Sequence, residues 1–502
     1  MKGSGNLFRE GFDNNKYLKL QSQKIKERIS LFGERLYLEF GGKMFDDFHA
    51  SRVLPGFAPD SKIKMLIELR EEAEIIISIN TEDIEKNKVR GDLGITYDLD
   101  VLRLIDAFRG HGLYVSAVVM TRYKSNPTAD AFKQKLEKLG IKVYKHYAIP
   151  GYPHNIPLIV SECGFGKNEY VETTRSIVIV TAPGPGSGKM ATCLSQIYHE
   201  SKMGRKSGYA KFETFPLWNL PLNHPVNLAY EAATADLADV NMIDPFHLEA
   251  YGNMAVNYNR DVEVFPVLRS MMAGILGECP YKSPTDMGVN MAGFCIYDDD
   301  AVCDAAKQEI IRRHYNALCD RRKGSDNDEE VDKIELLMRK LSITANDNRR
   351  CVRAALDKAE ETGTPAVAIE LDDGRIVTGK TSSLLGASSA ALLNAIKAVA
   401  GIPDGIDVIS PEVIEPIQKL KTAYLGNHNP RLHTDEVLVA LSVSAVNNPC
   451  AKMAFEAIPK LKYAEVHSTV ILAQIDAATF KKLGANLSCE PAYQTKKLFH
   501  YN

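Results

Sequence analysis

The sequence predicts an α/β protein: a doubly wound, mostly parallel sheet, then a mainly helical middle, then a C-terminal α/β domain. Three observations carry this reading. The chain has 502 residues, about three times the ~150 residues of an average domain. Its first third alternates short apolar runs with amphipathic stretches, the pattern of βαβ units. The strand pattern then fades and returns, which divides the chain into 1–225, 226–325 and 326–502.

In the first segment the strand candidates are 35–40, 63–69, 74–79, 113–120, 142–147 and 176–181. Between them, 98–108 places Leu99, Leu102, Leu104, Ile105 and Phe108 on one helical stripe. The stretch 127–139 opens with Asn126 as N-cap and Pro127 in the first turn, and ends before Gly140. Both read as crossover helices. The Pro-rich segment 216–225 closes the domain. In the middle, 228–237, 264–276 and 301–318 have helical patterns. The run 321–330 is the most polar window of the chain and contains Gly and Ser, which makes it the expected linker. Helices are expected at 334–341 and 347–361, and strands at 366–371, 375–378, 408–410 and 465–472.

Charge narrows the functional classes. Lys and Arg number 61 against 64 Asp and Glu, a formal charge of −3, so neither nucleic acid nor an anionic membrane is expected as partner. The longest apolar runs, such as Ile75-Ile76-Ile77 and Val178-Ile179-Val180, fall far short of the ~18 residues of a spanning helix. No basic start with an apolar core occurs in the first thirty residues, so a cytoplasmic location is expected. Nine scattered cysteines without a CxxC read as free thiols rather than a zinc site.

Two lysine-bearing loops resemble a phosphate cradle. Gly374-Arg375-Ile376-Val377-Thr378-Gly379-Lys380-Thr381 matches the Walker A pattern. Its Asp373-Gly374 is a hairpin turn between two strands, however, and an extended strand points alternate amides in opposite directions. The second loop, Pro183-Gly184-Pro185-Gly186-Ser187-Gly188-Lys189-Met190, departs from the pattern at Pro183 and Met190. Its context is the right one, since an apolar strand precedes it and Gly188 opens a helix. Gly184, Gly186 and Gly188 let the backbone approach an anion, the amides including that of Ser187 converge at the helix start, and Lys189 adds a charge. A glycine-rich turn with a surface lysine remains the alternative. Met190 stands where Ser or Thr would hold Mg²⁺, and Thr192 lies two residues beyond that position.

Phe40-Gly41-Gly42-Lys43 ends a strand and leads into Asp46, Asp47, His49 and Arg52. Ligands of open parallel sheets sit outside the carboxyl ends of strands, where both loops would project. Lys43 and Arg52 are then candidates for phosphate, and Asp46, Asp47 and His49 for metal binding or proton transfer; a charged turn with a capping Asp is the alternative. The polar loops 282–290 and 241–247 can supply substrate-holding groups or simple helix caps. Asp236 and Asp239 share a face of a predicted helix, as a metal-binding pair would need. In the C-terminal domain, His433-Thr434-Asp435 and Pro449-Cys450-Ala451-Lys452-Met453 echo the zinc deaminase signature. Asp435 replaces its glutamate and Met453 its second cysteine, so no zinc is expected. No GxSxG follows a strand, so a serine hydrolase is not supported.

The run from Leu38-Glu39-Phe40-Gly41-Gly42-Lys43 through Phe45-Asp46-Asp47-Phe48-His49-Ala50-Ser51-Arg52 to Val53-Leu54-Pro55-Gly56-Phe57 is followed by the Pro183 to Lys189 loop and Asp244-Pro245-Phe246-His247. Together with Val377-Thr378-Gly379-Lys380-Thr381-Ser382-Ser383-Leu384, this resembles the bacterial family known as domain of unknown function 1846, or uncharacterised protein family 0371, over essentially the whole chain. The resemblance implies a multidomain cytosolic homo-oligomer whose three-layer last domain has cytidine-deaminase topology without its zinc. It assigns no reaction. The residues themselves point to a nucleotide, with Mg²⁺, or another phosphorylated small molecule at the Gly184 to Lys189 loop. Phosphoryl transfer or ligation is the expected chemistry, and a non-catalytic phosphometabolite sensor or scaffold is the alternative.

Overall fold

Seven parallel strands form the first core in the computed structural model, which describes residues 9–91 and 93–494. They are β1 (Arg35–Phe40), β2 (Ala73–Asn80), β3 (Tyr114–Thr121), β4 (Val143–Lys145), β5 (Ile177–Thr181), β6 (Ser207–Phe212) and β7 (Gly288–Val289). Their order across the sheet is β7-β6-β1-β5-β2-β3-β4. The chain leaves β1, passes over one place to β2, runs outward to β4, and returns to insert β5 between β1 and β2. It then crosses β1 to reach β6 and β7. The connections leaving β1 and β5, two neighbours, therefore diverge, and a crevice opens between their carboxyl ends.

Helices cover both faces, because strands buried on both sides must bury both sets of alternating side chains. Leu36, Leu38 and Phe40 of β1 pack with Ile25 of α1 (Asn14–Phe32), which follows Asp13 as N-cap. The same cluster holds Ile63, Met65 and Leu66 of α3 (Ser61–Glu68), which follows the short α2 (Phe48–Val53), and Leu104 and Phe108 of α4 (Tyr97–Gly110). Phe132 and Leu136 of α5 (Pro127–Lys138) complete it. On the opposite face Tyr37, Val178 and Val180 pack with Leu194 and Ile197 of α6 (Lys189–Lys202) and with Phe265, Leu268 and Met272 of α7 (Asn259–Leu276). The doubly wound α/β expectation is met.

Several elements differ from the sequence reading. Of residues 63–69, read as a strand, 63–68 belong to helix α3 and Leu69 caps its end. A short apolar run with residues at i, i+3 and i+4 fits either period, and tertiary packing decides. Leu99 is 45% exposed, and Val101 rather than Leu99 faces the core from α4. Strand β6 and the two-residue β7 escaped detection.

Residues 11–230 and 239–299 form one compact unit, and the chain from Asp300 onward with 231–238 forms a second. The middle segment 226–325 is thus shared between them: α7 is part of the parallel-sheet core, while α8 (Asp299–Arg322) belongs almost wholly to the second unit. Of the charged run 321–330, only 323–327 connect α8 to α9 (Asp328–Lys340) inside that unit; the rest are helix ends.

The second unit contains α10 (Arg350–Thr362), the hairpin β8 (Ala366–Glu370) and β9 (Ile376–Lys380), α11 (Ala387–Ala400), α12 (Thr434–Ser444), α13 (Pro449–Ala457), β10 (Glu465–Ser468), α14 (Gln474–Lys482) and β11 (Asn486–Cys489). Its sheet order is β9-β8-β10-β11, with β8 antiparallel to both neighbours and β10 parallel to β11. Ala368 faces Cys351 and Ala355 of α10, while Val367 and Ile369 face Leu392, Leu441 and Ala454 on the other side. Residues 408–410 form no strand. Ser410 is extended because Pro411 follows it, and a helix starts there. Among the described residues no helix is long and apolar enough to cross a membrane.

Candidate functional site

The five buried residues of β5 deliver the glycine-rich loop to the carboxyl edge of the sheet, at the crevice beside β1. Gly184 lies under Tyr97: a Cβ there would come within 2.3 Å of the Tyr97 hydroxyl. Gly186 and Gly188 have φ of +75° and +83°, where a side chain is strained. Thr121 Oγ1 donates to the Ser187 carbonyl (2.9 Å), and Ser187 Oγ donates to that of Gly184 (2.9 Å). The loop is thereby held in shape by its own Ser187 and by Thr121 at the end of β3.

This shape leaves amides over. Among the described residues, no backbone carbonyl accepts from the amides of Gly186, Ser187, Gly188, Lys189, Met190 or Ala191; Thr192 makes the first bond of the helix, to Gly188. Consecutive donors left over at a helix start are an arrangement that can accept an anion. Thr192 Oγ1 donates to the Gly188 carbonyl (3.0 Å) and accepts from Ser78 Oγ (3.1 Å), so its hydroxyl is engaged inside the fold. Met190 packs into the apolar cluster of that face.

Lys189 Nζ lies 4.0 Å from Glu39 Oε1, and Tyr209 donates its hydroxyl to Glu39 Oε2 at 2.7 Å. Glu39 pairs in register with Lys211 of the adjacent strand β6. On the same face, period two then gives Tyr209, Lys211 and, just past the strand, Glu213. Lys211 Nζ is 2.5 Å from Asp261 Oδ2 and 2.7 Å from Glu213 Oε1, and it also contacts the Tyr258 hydroxyl, which donates to Glu213 Oε1 (3.0 Å). Burial works against the charge of Lys211, yet Asp261, Glu213 and Glu39 hold its proton affinity well above the ordinary lysine value. Burial, reinforced by Asp261 and opposed by Lys211, pushes Glu213 up to about 8. An apolar core thus ends, at its carboxyl edge, in a mostly buried array of charges.

The other expected site residues fall as follows. Lys43 is exposed at the end of the loop after β1, and Asp46 is half-buried beside it. Asp47 caps α2 by accepting from the Ala50 amide, and its Oδ2 is 2.8 Å from Lys62 Nζ. His49 packs its ring 5.4 Å from that of Phe215, which stacks on Tyr230, itself 6.3 Å from Tyr258 of the charged array. Arg52 is half-buried in the last turn of α2.

The loops 241–247 and 282–290 meet. Asp244 Oδ2 accepts from the amide (3.2 Å) and hydroxyl (2.7 Å) of Thr285, and His247 Nδ1 lies 3.0 Å from Ser283 Oγ. Asp236 is not on one helix face with Asp239: the helix ends at Ala233, and Asp239 pairs with Arg260. The Walker-pattern segment is indeed a hairpin, with the Gly374 amide donating to the Leu371 carbonyl and the Leu371 amide to Arg375. His433 caps α12 and binds Asp476 (3.1 Å), while Cys450 opens α13 under the Asn448 cap.

Glu39, Lys211, Glu213, Asp261 and Tyr258 were not foreseen as site residues. A signal existed: Glu39 and Lys211 are charges inside strands that are otherwise apolar, a costly placement unless it is paired or used. Recognising Lys211 required β6 itself, which the sequence reading missed.

The family described as domain of unknown function DUF1846 matches with its N-terminal part over residues 10–342 and its C-terminal part over 347–499. A UPF0371 protein of Corynebacterium glutamicum (strain R) is 59% identical over 490 residues, covering 97% of this chain and 99% of that protein. UPF0371 proteins of Streptococcus pneumoniae (strain JJA) and Streptococcus thermophilus (strain ATCC BAA-491 / LMD-9) are each 57% identical over 491 residues, 98% of this chain and 99% of theirs.

Proposed function

The chain belongs to the DUF1846 family, and we propose that it is an enzyme that holds a phosphorylated small molecule at the loop from Gly184 to Lys189. The observation that carries this reading is the run of amides from Gly186 to Ala191 without backbone acceptors, at the carboxyl end of a central parallel strand. Phosphate oxygens accept from those amides, and the helix start favours their charge. Lys189 supports the same pole, balanced at rest by Glu39. With Met190 packed in the core and the Thr192 hydroxyl engaged, a Mg²⁺ ion would arrive on the ligand's own phosphates rather than on a helix hydroxyl. Lys43, exposed in the loop after the neighbouring strand β1, and Arg52, at the end of α2, would extend the anion site.

The charged array beside the loop supports catalysis over a purely sensing role, because buried charges with perturbed proton affinity cluster at functional sites. In the second unit, the antiparallel placement of β8 between β9 and β10 and the parallel β11 support the cytidine-deaminase-like topology, here without a zinc set. The apolar side chains Val439, Val443 and Val446, each at least 60% exposed along α12 and just past it, support association of copies of the chain.

Thermal denaturation of the full chain with inorganic phosphate, nucleotides and sugar phosphates, with and without Mg²⁺, tests the reading. At least one phosphorylated compound raises the Tm of the wild type, and Lys189→Ala reduces that shift. A shift that Lys189→Ala leaves intact refutes the assignment of the loop.

A further inference from the structure

We infer that Glu39 sets the specificity of the glycine-rich loop: it admits a phosphate group that carries a P–OH and rejects an oxyanion without a proton. The inference deepens the phosphate-ligand reading and rests on it for the loop. It names the bound group as a terminal phosphate, that of a phosphomonoester or inorganic phosphate itself, and excludes a bridging phosphodiester.

Its basis is one carboxyl group and one ammonium that face each other without a hydrogen bond. Glu39 is next to last in β1, in register with Val180 of β5, the strand that delivers the loop, and with Lys211 of β6. Its Oε2 accepts from the Tyr209 hydroxyl at 2.7 Å. Its Oε1 lies 4.0 Å from Lys189 Nζ, beyond hydrogen-bond length. Among the described residues neither that oxygen nor Lys189 Nζ has a hydrogen-bond partner, although the two side chains are only 12% and 15% exposed. Lys211, the other cation beside Glu39, is engaged by Asp261 at 2.5 Å and Glu213 at 2.7 Å. Mostly buried charged groups are ordinarily bonded, so an open pair of this kind beside the loop is completed by a ligand.

The gap has the size for one oxygen. An oxygen about 2.8 Å from Nζ and about 2.6 Å from Oε1 spans the 4.0 Å at a bent angle. Such an oxygen accepts from Lys189 and must donate to Glu39, because a carboxylate only accepts. A P–OH does both. An oxygen of sulfate or of a phosphodiester turns a lone pair on Glu39, and two negative groups then meet in a mostly buried setting. Tyr209 is the positioning residue: its bond to Oε2 leaves Oε1 for the ligand.

Calorimetric titration of the full chain at neutral pH and constant ionic strength tests this with inorganic phosphate, methyl phosphate and sulfate. Inorganic phosphate keeps a proton there and sulfate has none. The wild type binds phosphate at least about tenfold more tightly than sulfate, since a site built to bond a ligand hydroxyl rejects the analogue lacking it. Glu39→Gln, whose amide donates to a bare oxygen, gains sulfate affinity and loses the preference. Tyr209→Phe weakens the preference without abolishing it. Methyl phosphate separates the two sources of a P–OH: affinity near that of inorganic phosphate assigns the site to a monoester, and affinity near that of sulfate assigns it to inorganic phosphate. Lys189→Ala weakens the binding of all three. Equal wild-type affinity for phosphate and sulfate overturns this inference alone, as does a preference that Glu39→Gln leaves intact. Failure of all three anions to bind the wild type overturns the phosphate reading and this inference with it. The wild-type ratio and Tyr209→Phe keep the test decisive should Glu39→Gln not fold.

Discussion

Asp47 and Lys62 face each other at 2.8 Å with side chains 13% and 5% exposed. Burial disfavours the Asp47 charge, but the Lys62 ammonium, His49 and the Ala50 amide outweigh it and hold the carboxyl below its ordinary value. Removing one partner of such a pair leaves the other buried and unpaired, so Asp47→Ala is expected to cost about 3 kcal/mol, read as a lowered midpoint in urea. The pH dependence follows from the sign of the shift. A carboxyl depressed in the folded state contributes stability above its unfolded value, and that contribution is lost as pH falls through the folded one. The wild type therefore loses its advantage over Asp47→Ala in acid. An acidic residue after a strand end was legible in the sequence as a candidate cap or metal ligand; its partner, fifteen residues on in another helix, was not. Charge pairs of this kind are tertiary facts, and the same holds for Lys211, whose partners Glu213, Tyr258 and Asp261 all lie outside its own strand.

At the scale of elements, the two glycine-lysine segments separate by what surrounds each glycine. A Cβ on Gly379 would lie 2.1 Å from the backbone nitrogen of Ala391, so strand β9 rests directly on helix α11. A Cβ on Gly186 would meet nothing within 4 Å, but its φ of +75° belongs to the left-handed region. Gly379→Ala is thus expected to destabilise by about 3 kcal/mol through overpacking, with no effect on a phosphate-induced Tm shift. Gly186→Ala is expected to cost only about 1 kcal/mol, yet to diminish that shift, because the loop that presents the amides must change shape. The opposite pattern in a thermal-shift experiment would return the phosphate site to the Walker-pattern hairpin. The hairpin is legible against the written motif because Asp373-Gly374 announces it from sequence alone. Strands with mostly apolar runs, β1, β2, β3 and β5, were legible for the same kind of local reason. Helix α3 was not, since seven mostly apolar residues satisfy either period, and β6 was hidden by Gly208 and Lys211 within it.

For the whole molecule, the decisive feature is that two separate cores are built on different sheet plans, one wholly parallel and one mixed. A length of three average domains suggested three cores. Of the middle helices, α7 buries Phe265, Leu268 and Met272 in the parallel-sheet core. That arrangement explains how Asp261, at the start of α7, comes to stand opposite Lys211, fifty residues earlier in the chain. It also makes a prediction about where ligand energy is felt. A ligand that binds only the folded state raises the free energy of local opening in the elements it touches. Hydrogen exchange measured with saturating inorganic phosphate should therefore slow at Gly186 to Ala191, whose amides have no backbone acceptor, and through the first turns of α6 and α7. The β8 to β11 sheet, with its own core around Leu392, Leu441 and Val466, should exchange unchanged. Slowing confined to β9 and the start of α11 would place the ligand on the hairpin lysine and refute the crevice between β1 and β5 as the site.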